Sequence, residues 1–86
     1  MASKKVPPLI AIYARNIEIF AFKRGWSMRH LADEVGCTVA TLTRVRMRHN
    51  KTIDPELLAA LLTAFECRPD DLLLPHPDVD YTPALN

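Results

Sequence analysis

The sequence predicts an all-α domain, and three observations carry that prediction. There are two glycines in 86 residues, and most of the seven prolines fall in the terminal segments or where a helix can begin, so the apolar runs contain few helix breakers. Leu and Ala are abundant, and β-branched residues never form the long alternating run of a half-buried strand. Apolar residues instead recur at steps of three and four, the period of one helical face. A chain of this length makes one domain, and nearly every strong apolar run must serve one core.

The first helix is predicted over residues 8–24. Ile10, Tyr13, Ile17 and Phe20 share a face, Gly25 ends the helix, and Trp26 follows as a core anchor. On the other side Ile12, Ile19 and Phe22 make a second apolar patch. Such a patch calls for a partner, and a second copy of the chain is the expected one; the alternative is that the tail, with Val79 and Tyr81, folds back over it. Ser27 is a good N-cap for a short second helix over 28–35, whose inner face is Met28, Leu31, Ala32 and Val35, with Gly36 as its stop. Thr38 caps a third helix over 39–47 with Leu42 and Val45 inward. Val39, Ala40, Thr43, Arg44 and Met47 lie opposite, with Thr41 and Arg48 at the edges. A polar, basic loop from Arg48 to Thr52 leads to Asp54-Pro55-Glu56, which combines an N-cap carboxylate, a first-turn proline and an acid at the positive helix end. Leu58, Leu61, Leu62 and Phe65 form the expected buried stripe of that fourth helix. Pro69-Asp70-Asp71 opens a short fifth helix carrying Leu72 and Leu73, and an extended tail is expected from Pro75 onward. The predicted organisation is a basic N-terminal arm (1–8), a helical domain (9–74) and a proline-rich acidic tail (75–86).

The net charge of +1 hides a strong polarity. Residues 1–53 carry ten Lys or Arg against three acids, whereas residues 54–86 carry one Arg against seven acids. A basic working half and an acidic half facing elsewhere are implied. From Thr38 to Ile53 there are four Lys or Arg and no acid, which suits a polyanion.

The second and third helices are separated by Gly36-Cys37-Thr38. A pair joined so tightly holds its second helix at a steep angle, with the N-terminal half protruding far enough to enter a DNA major groove. The pattern Leu31-Ala32-x-x-x-Gly36-x-Thr38-x-x-Thr41-Leu42 resembles the helix-turn-helix of the Cro/C1-type family, which includes the lambda repressor-like phage and bacterial regulators. Leu58-x-x-Leu61-x-x-Ala64-Phe65-x-Cys67-x-Pro69-x-Asp71-Leu72-Leu73 is similar to the fourth and fifth helices of that family. The resemblance implies a five-helix lambda repressor-like domain that binds double-stranded DNA as a homodimer or monomer and regulates transcription, with no enzymatic activity and no cofactor. It implies that Val39, Ala40, Thr43 and Arg44 face base edges. Thr38 would cap the recognition helix and touch the backbone, and Arg29, Thr41, Arg46, Arg48, His49, Asn50 and Lys51 would lie near phosphates. Base chemistry agrees, since Val39 and Ala40 suit thymine methyls and Arg44 suits guanine O6 and N7. Two positions depart from the family: Met28 stands where a phosphate-touching Gln is usual, and Arg46 where many members have Glu, which leaves a phosphate as its natural contact.

Other function classes lack support. Cys37 and Cys67 have no metal-ligand spacing and read as buried thiols of a cytosolic protein, with a disulfide or redox sensor as the alternative. His30, His49 and His76 are widely spaced and read as surface residues, and no catalytic or metal constellation stands out. No transmembrane or signal segment is expected. The leading expectation is a repressor acting by operator occupancy in the bacterial cytoplasm. A second is the antitoxin of a toxin–antitoxin pair, with residues 75–86 binding the toxin. A third, a protein-interaction module without DNA binding, fits poorly with the basic third helix.

Overall fold

A computed structural model describes residues 8–49 and 51–81. Among these it has five helices and no strand: α1 (Leu9–Lys23), α2 (Met28–Val35), α3 (Val39–Arg46), α4 (Pro55–Phe65) and α5 (Pro69–Leu73). All but Pro8 of the expected basic arm, Asn50 of the loop and the last five residues of the tail lie outside the described residues.

The starts of three helices are built as their sequences suggest. Ser27 Oγ accepts from His30 N–H at 3.1 Å, Thr38 Oγ1 from Thr41 N–H at 3.1 Å, and Asp54 Oδ1 from Glu56 N–H at 2.9 Å. Each satisfies one amide that the first turn leaves without an intrahelical partner. At α5 it is Asp71, inside the first turn, that reaches back to accept from Arg68 N–H at 2.9 Å.

The core forms where α1 packs on α3 and α5 while α2 packs on α3 and α4. Tyr13, Ile17, Leu31, Leu42, Leu61, Phe65 and Leu72 are its buried centre, with Trp26, Met28 and Val35 partly buried against it. In α4 the stripe is shifted from expectation: Leu57, Leu61 and Phe65 are buried, whereas Leu58 and Leu62 pack at the edge. Spacing alone does not choose between Leu57 and Leu58, because both lie within one turn of Leu61.

The largest correction concerns α1. Ile12, expected in an exposed patch, is buried at 3% exposure, as is its neighbour Ala11. A helix packed on two sides hides most of its circumference, and residues 75–81 add further cover. That segment has no helix, yet Tyr81 is buried. Its hydroxyl donates to Asn16 Oδ1 at 2.6 Å and accepts from His76 N–H at 3.0 Å. His76 is half-buried, with Nε2 3.0 Å from the Asp71 carbonyl oxygen, and is thus not the surface residue expected. Fold-back of the tail accounts for part of the apolar surface; Phe22 remains 84% exposed.

Candidate nucleic-acid interface

The site is built on the turn between α2 and α3. Gly36 takes φ 85°, a left-handed conformation that a residue with a Cβ adopts at a cost, and the amides of Gly36 and Cys37 both donate to the Ala32 carbonyl. The chain reverses in three residues, and Thr38 starts α3. Leu42 and Val45 then anchor α3 in the core. An eight-residue helix has little stability of its own, so these two anchors and the cap hold it in place.

With that face buried, the opposite one is open. Val39, Ala40, Thr43 and Arg44 are all exposed, on one outward side of α3. Arg44 makes no ion pair or side-chain hydrogen bond among the described residues, so its guanidinium fork is available. Neither Asp33 nor Glu34, the acids of the neighbouring α2, is paired with it; Glu34 lies 3.3 Å from His30 Nε2 instead. Thr41 is half-buried and its hydroxyl lies 3.0 Å from that of Thr38, so the two hydroxyls sit together at the N-terminal end of α3.

The backbone-contact candidates surround this face unevenly. Arg29, His49 and Lys51 are exposed. Arg48 is half-buried in a left-handed conformation with φ 61°, just past the end of α3, and its Nε is enclosed without a partner among the described residues. Arg46 is drawn to one side: its Nε lies 3.5 Å from Glu18 Oε2 on α1, and the other Glu18 oxygen lies 3.3 Å from Arg15 Nη1. Asn50 falls outside the described residues. Met28 packs against the core and lines a surface groove of about 650 Å³ together with Ile19, Ala21, Phe22, Trp26 and Arg46.

Three further residues have roles that were not read from the sequence, where Tyr13 figured only on the core face of the first helix. Asn16 is wholly buried and its amide donates to the carbonyls of Leu72 and Leu74, both at 3.1 Å. Its sequence signal is a lone polar residue beside Tyr13, Ile17 and Phe20 on an apolar helix. Arg24 donates to the Phe65 carbonyl at the end of α4 and lies 5.2 Å from the Phe65 ring centre and 5.5 Å from that of Phe20. Tyr13 carries a buried hydroxyl, and its pKa is pushed up to about 12, first by burial and then by Asp54 and Cys37. Burial likewise pushes both free thiols, Cys37 and Cys67, above their ordinary range, which works against the thiolate that redox chemistry needs. No group of His, Cys, Asp or Glu among the described residues is placed to hold a metal ion, and no helix is long and apolar enough to cross a membrane.

A short capped helix pair, joined by a left-handed glycine and presenting an acid-free outer face on its second helix, defines a helix-turn-helix DNA-binding domain. Residues 16–78 match the Cro/C1-type HTH DNA-binding domain, and the chain belongs to that family. It is 35% identical over 65 residues to the uncharacterized HTH-type transcriptional regulator YozG of Bacillus subtilis (strain 168), an alignment that covers 76% of this chain and 77% of the relative. The fold is similar to the crystal structure of a hypothetical transcription factor, NHTF, from Neisseria, with a TM-score of 0.72 and 24% identity over 86% of this chain and 88% of that one. The protein is thus an all-α, HTH-type DNA-binding regulator of transcription.

Proposed function

We propose that this regulator is a repressor that recognises a specific operator as a homodimer and acts by occupying it, in the bacterial cytoplasm. The observation that carries the reading is the outer face of α3, where Val39, Ala40, Thr43 and Arg44 stand exposed with no acid among residues 38–53. Val39 and Ala40 meet thymine methyls, and Arg44 pairs with a guanine edge. Arg29, Thr38, Thr41, Arg46, Arg48, His49, Asn50 and Lys51 hold the phosphates and fix the register. Residues 9–74 carry this activity, and the basic arm before them adds cations. The dimer forms through what remains of the apolar patch, Ile19 and Phe22. Exposure of Phe22 beside a groove whose apolar lining is Ile19, Ala21, Trp26 and Met28, and whose charged lining is Arg15, Glu18, Lys23 and Arg46, supports an interface centred on Ile19 and Phe22. For the antitoxin reading the tail would have to engage a toxin. The commitment of Tyr81 to α1 favours the simpler regulator.

Selection of bound duplexes from a random pool tests the reading. The expected site is a near-palindrome whose half-sites lie about one helical turn apart. Recovery of no enriched sequence would refute specific recognition, and recovery of a single asymmetric half-site would refute the dimer.

A further inference from the structure

Residues 1–53 contain three acids, Glu18, Asp33 and Glu34, amid ten Lys or Arg. Asp33 and Glu34 lie on α2 and are exposed. Glu18 differs in being turned onto the recognition helix. Its carboxylate sits between two arginines, one oxygen 3.3 Å from Arg15 Nη1 and the other 3.5 Å from Arg46 Nε. The three side chains are 33%, 45% and 40% exposed, in that order, so all remain within reach of solvent and of an incoming anion. A half-exposed pair of this kind contributes little to folding stability. Its electrostatic effect on a polyanion is larger, because the carboxylate is fixed beside a cation that the phosphate backbone would otherwise attract.

We propose that Glu18 is a positioning residue that attenuates sequence-independent DNA affinity by holding Arg46 in an ion pair across the α1–α3 contact. The proposal rests on the assignment of Arg46 to a phosphate. A phosphate that approaches Arg46 competes with the Glu18 carboxylate for the same guanidinium, and it meets the negative charge of Glu18 as well. Arg15 offsets part of that charge, yet two arginines sharing one carboxylate present less attraction to DNA than two free ones. Non-specific binding consists almost entirely of such phosphate contacts, so it is the quantity Glu18 controls most directly. The benefit is a regulator less sequestered by the excess of non-cognate sites that any genome offers.

The test uses the full chain and a scrambled 20-base-pair duplex, with Glu18→Gln, Arg46→Ala and the double variant measured by fluorescence anisotropy across a salt series. Circular dichroism melts establish that each variant is folded, and Glu18→Gln preserves shape while removing charge. Glu18→Gln is expected to tighten binding about threefold and to steepen the dependence of log K on log salt by about one unit. Arg46→Ala is expected to cost more in the Glu18→Gln background than in wild type, and to abolish the gain. Unchanged or weaker binding by Glu18→Gln, with an unchanged salt slope, would overturn the proposal. A gain that survives Arg46→Ala in full would overturn the assignment of Arg46 to a phosphate, and with it the route proposed here. Absence of duplex binding by every protein, wild type included, would overturn the DNA-binding reading itself.

Discussion

Asn16 ties three parts of the chain together from a position with no access to water. Its amide serves the carbonyls of Leu72 and Leu74, and its oxygen takes the hydroxyl of Tyr81, so the end of α5 and the following segment are both fastened to α1. Asn16→Leu would strand two carbonyls and a hydroxyl, and we expect a loss of about 3 kcal/mol in urea unfolding. Tyr81→Phe should cost about 1 kcal/mol; equal stability of both variants with wild type would refute this account of the tail. Tyr13 shows the opposite situation, a buried hydroxyl with no hydrogen-bond partner among the described residues. Its pKa is raised to about 12, so the folded state keeps a proton that the unfolded chain releases near its ordinary value of 10. That contribution is fully present below pH 10 and is lost as pH rises toward 12, on the order of 2 kcal/mol in all. Tyr13→Phe should remove this part of the alkaline decline, as measured by urea midpoints at pH 9 and pH 11.5. Neither role was legible beforehand. Spacing assigns a residue to a face, but the partners of Asn16 lie more than fifty positions away, and Ile12 was misplaced because periodicity does not reveal a second packing surface on the same helix.

At the scale of the elements, helix existence and helix starts were legible because Ser27, Thr38 and Asp54 act locally, through bonds to amides two or three residues ahead. Helix ends were legible at α1 and α2 from Gly25 and Gly36 and at α3, to within one residue, from the basic loop that follows, whereas no end was read for α4. The ends of α1 and α2 carry Gly25 and Gly36 at positive φ, whereas those of α3 and α4 carry Arg48 and Glu66 in the same region, at φ 61° and 55°. The closing bonds are alike, with Trp26 N–H donating to the Ala21 carbonyl, His49 to that of Arg44 and Cys67 to that of Leu62. At two ends, therefore, the hydrogen-bond geometry imposes a left-handed residue that sequence preference would not choose. Glu66→Gly relieves that cost at an exposed position, and the urea midpoint should rise by the equivalent of about 0.5–1 kcal/mol. A lower midpoint would show that the Glu66 side chain makes a compensating contact.

The whole molecule divides its labour by charge. Basic residues gather in the half that holds α2 and α3, and acids in the half that holds α4, α5 and the tail. The composition of the outer face of α3 was legible because inward Leu42 and Val45 fix which residues face out; the capture of Arg46 by Glu18 was not, because it depends on how α1 crosses α3. With Ile12 buried, the proposed dimer interface reduces to Ile19 and Phe22, and the Ile19→Glu, Phe22→Glu double variant should be monomeric by light scattering at tens of micromolar while remaining folded. A monomeric wild type at that concentration would refute the dimer. The central claim, that α3 reads bases while the loop after it holds phosphates, is tested most directly by comparing Arg44→Ala with Lys51→Ala on the selected operator and on a scrambled duplex at two salt concentrations. Arg44→Ala should cost roughly 1–3 kcal/mol on the operator and relax preference at one base pair per half-site. Lys51→Ala should weaken both duplexes alike and lower the salt slope by about one unit. Equal losses for the two variants on both duplexes would contradict the assignment of Arg44 to base reading.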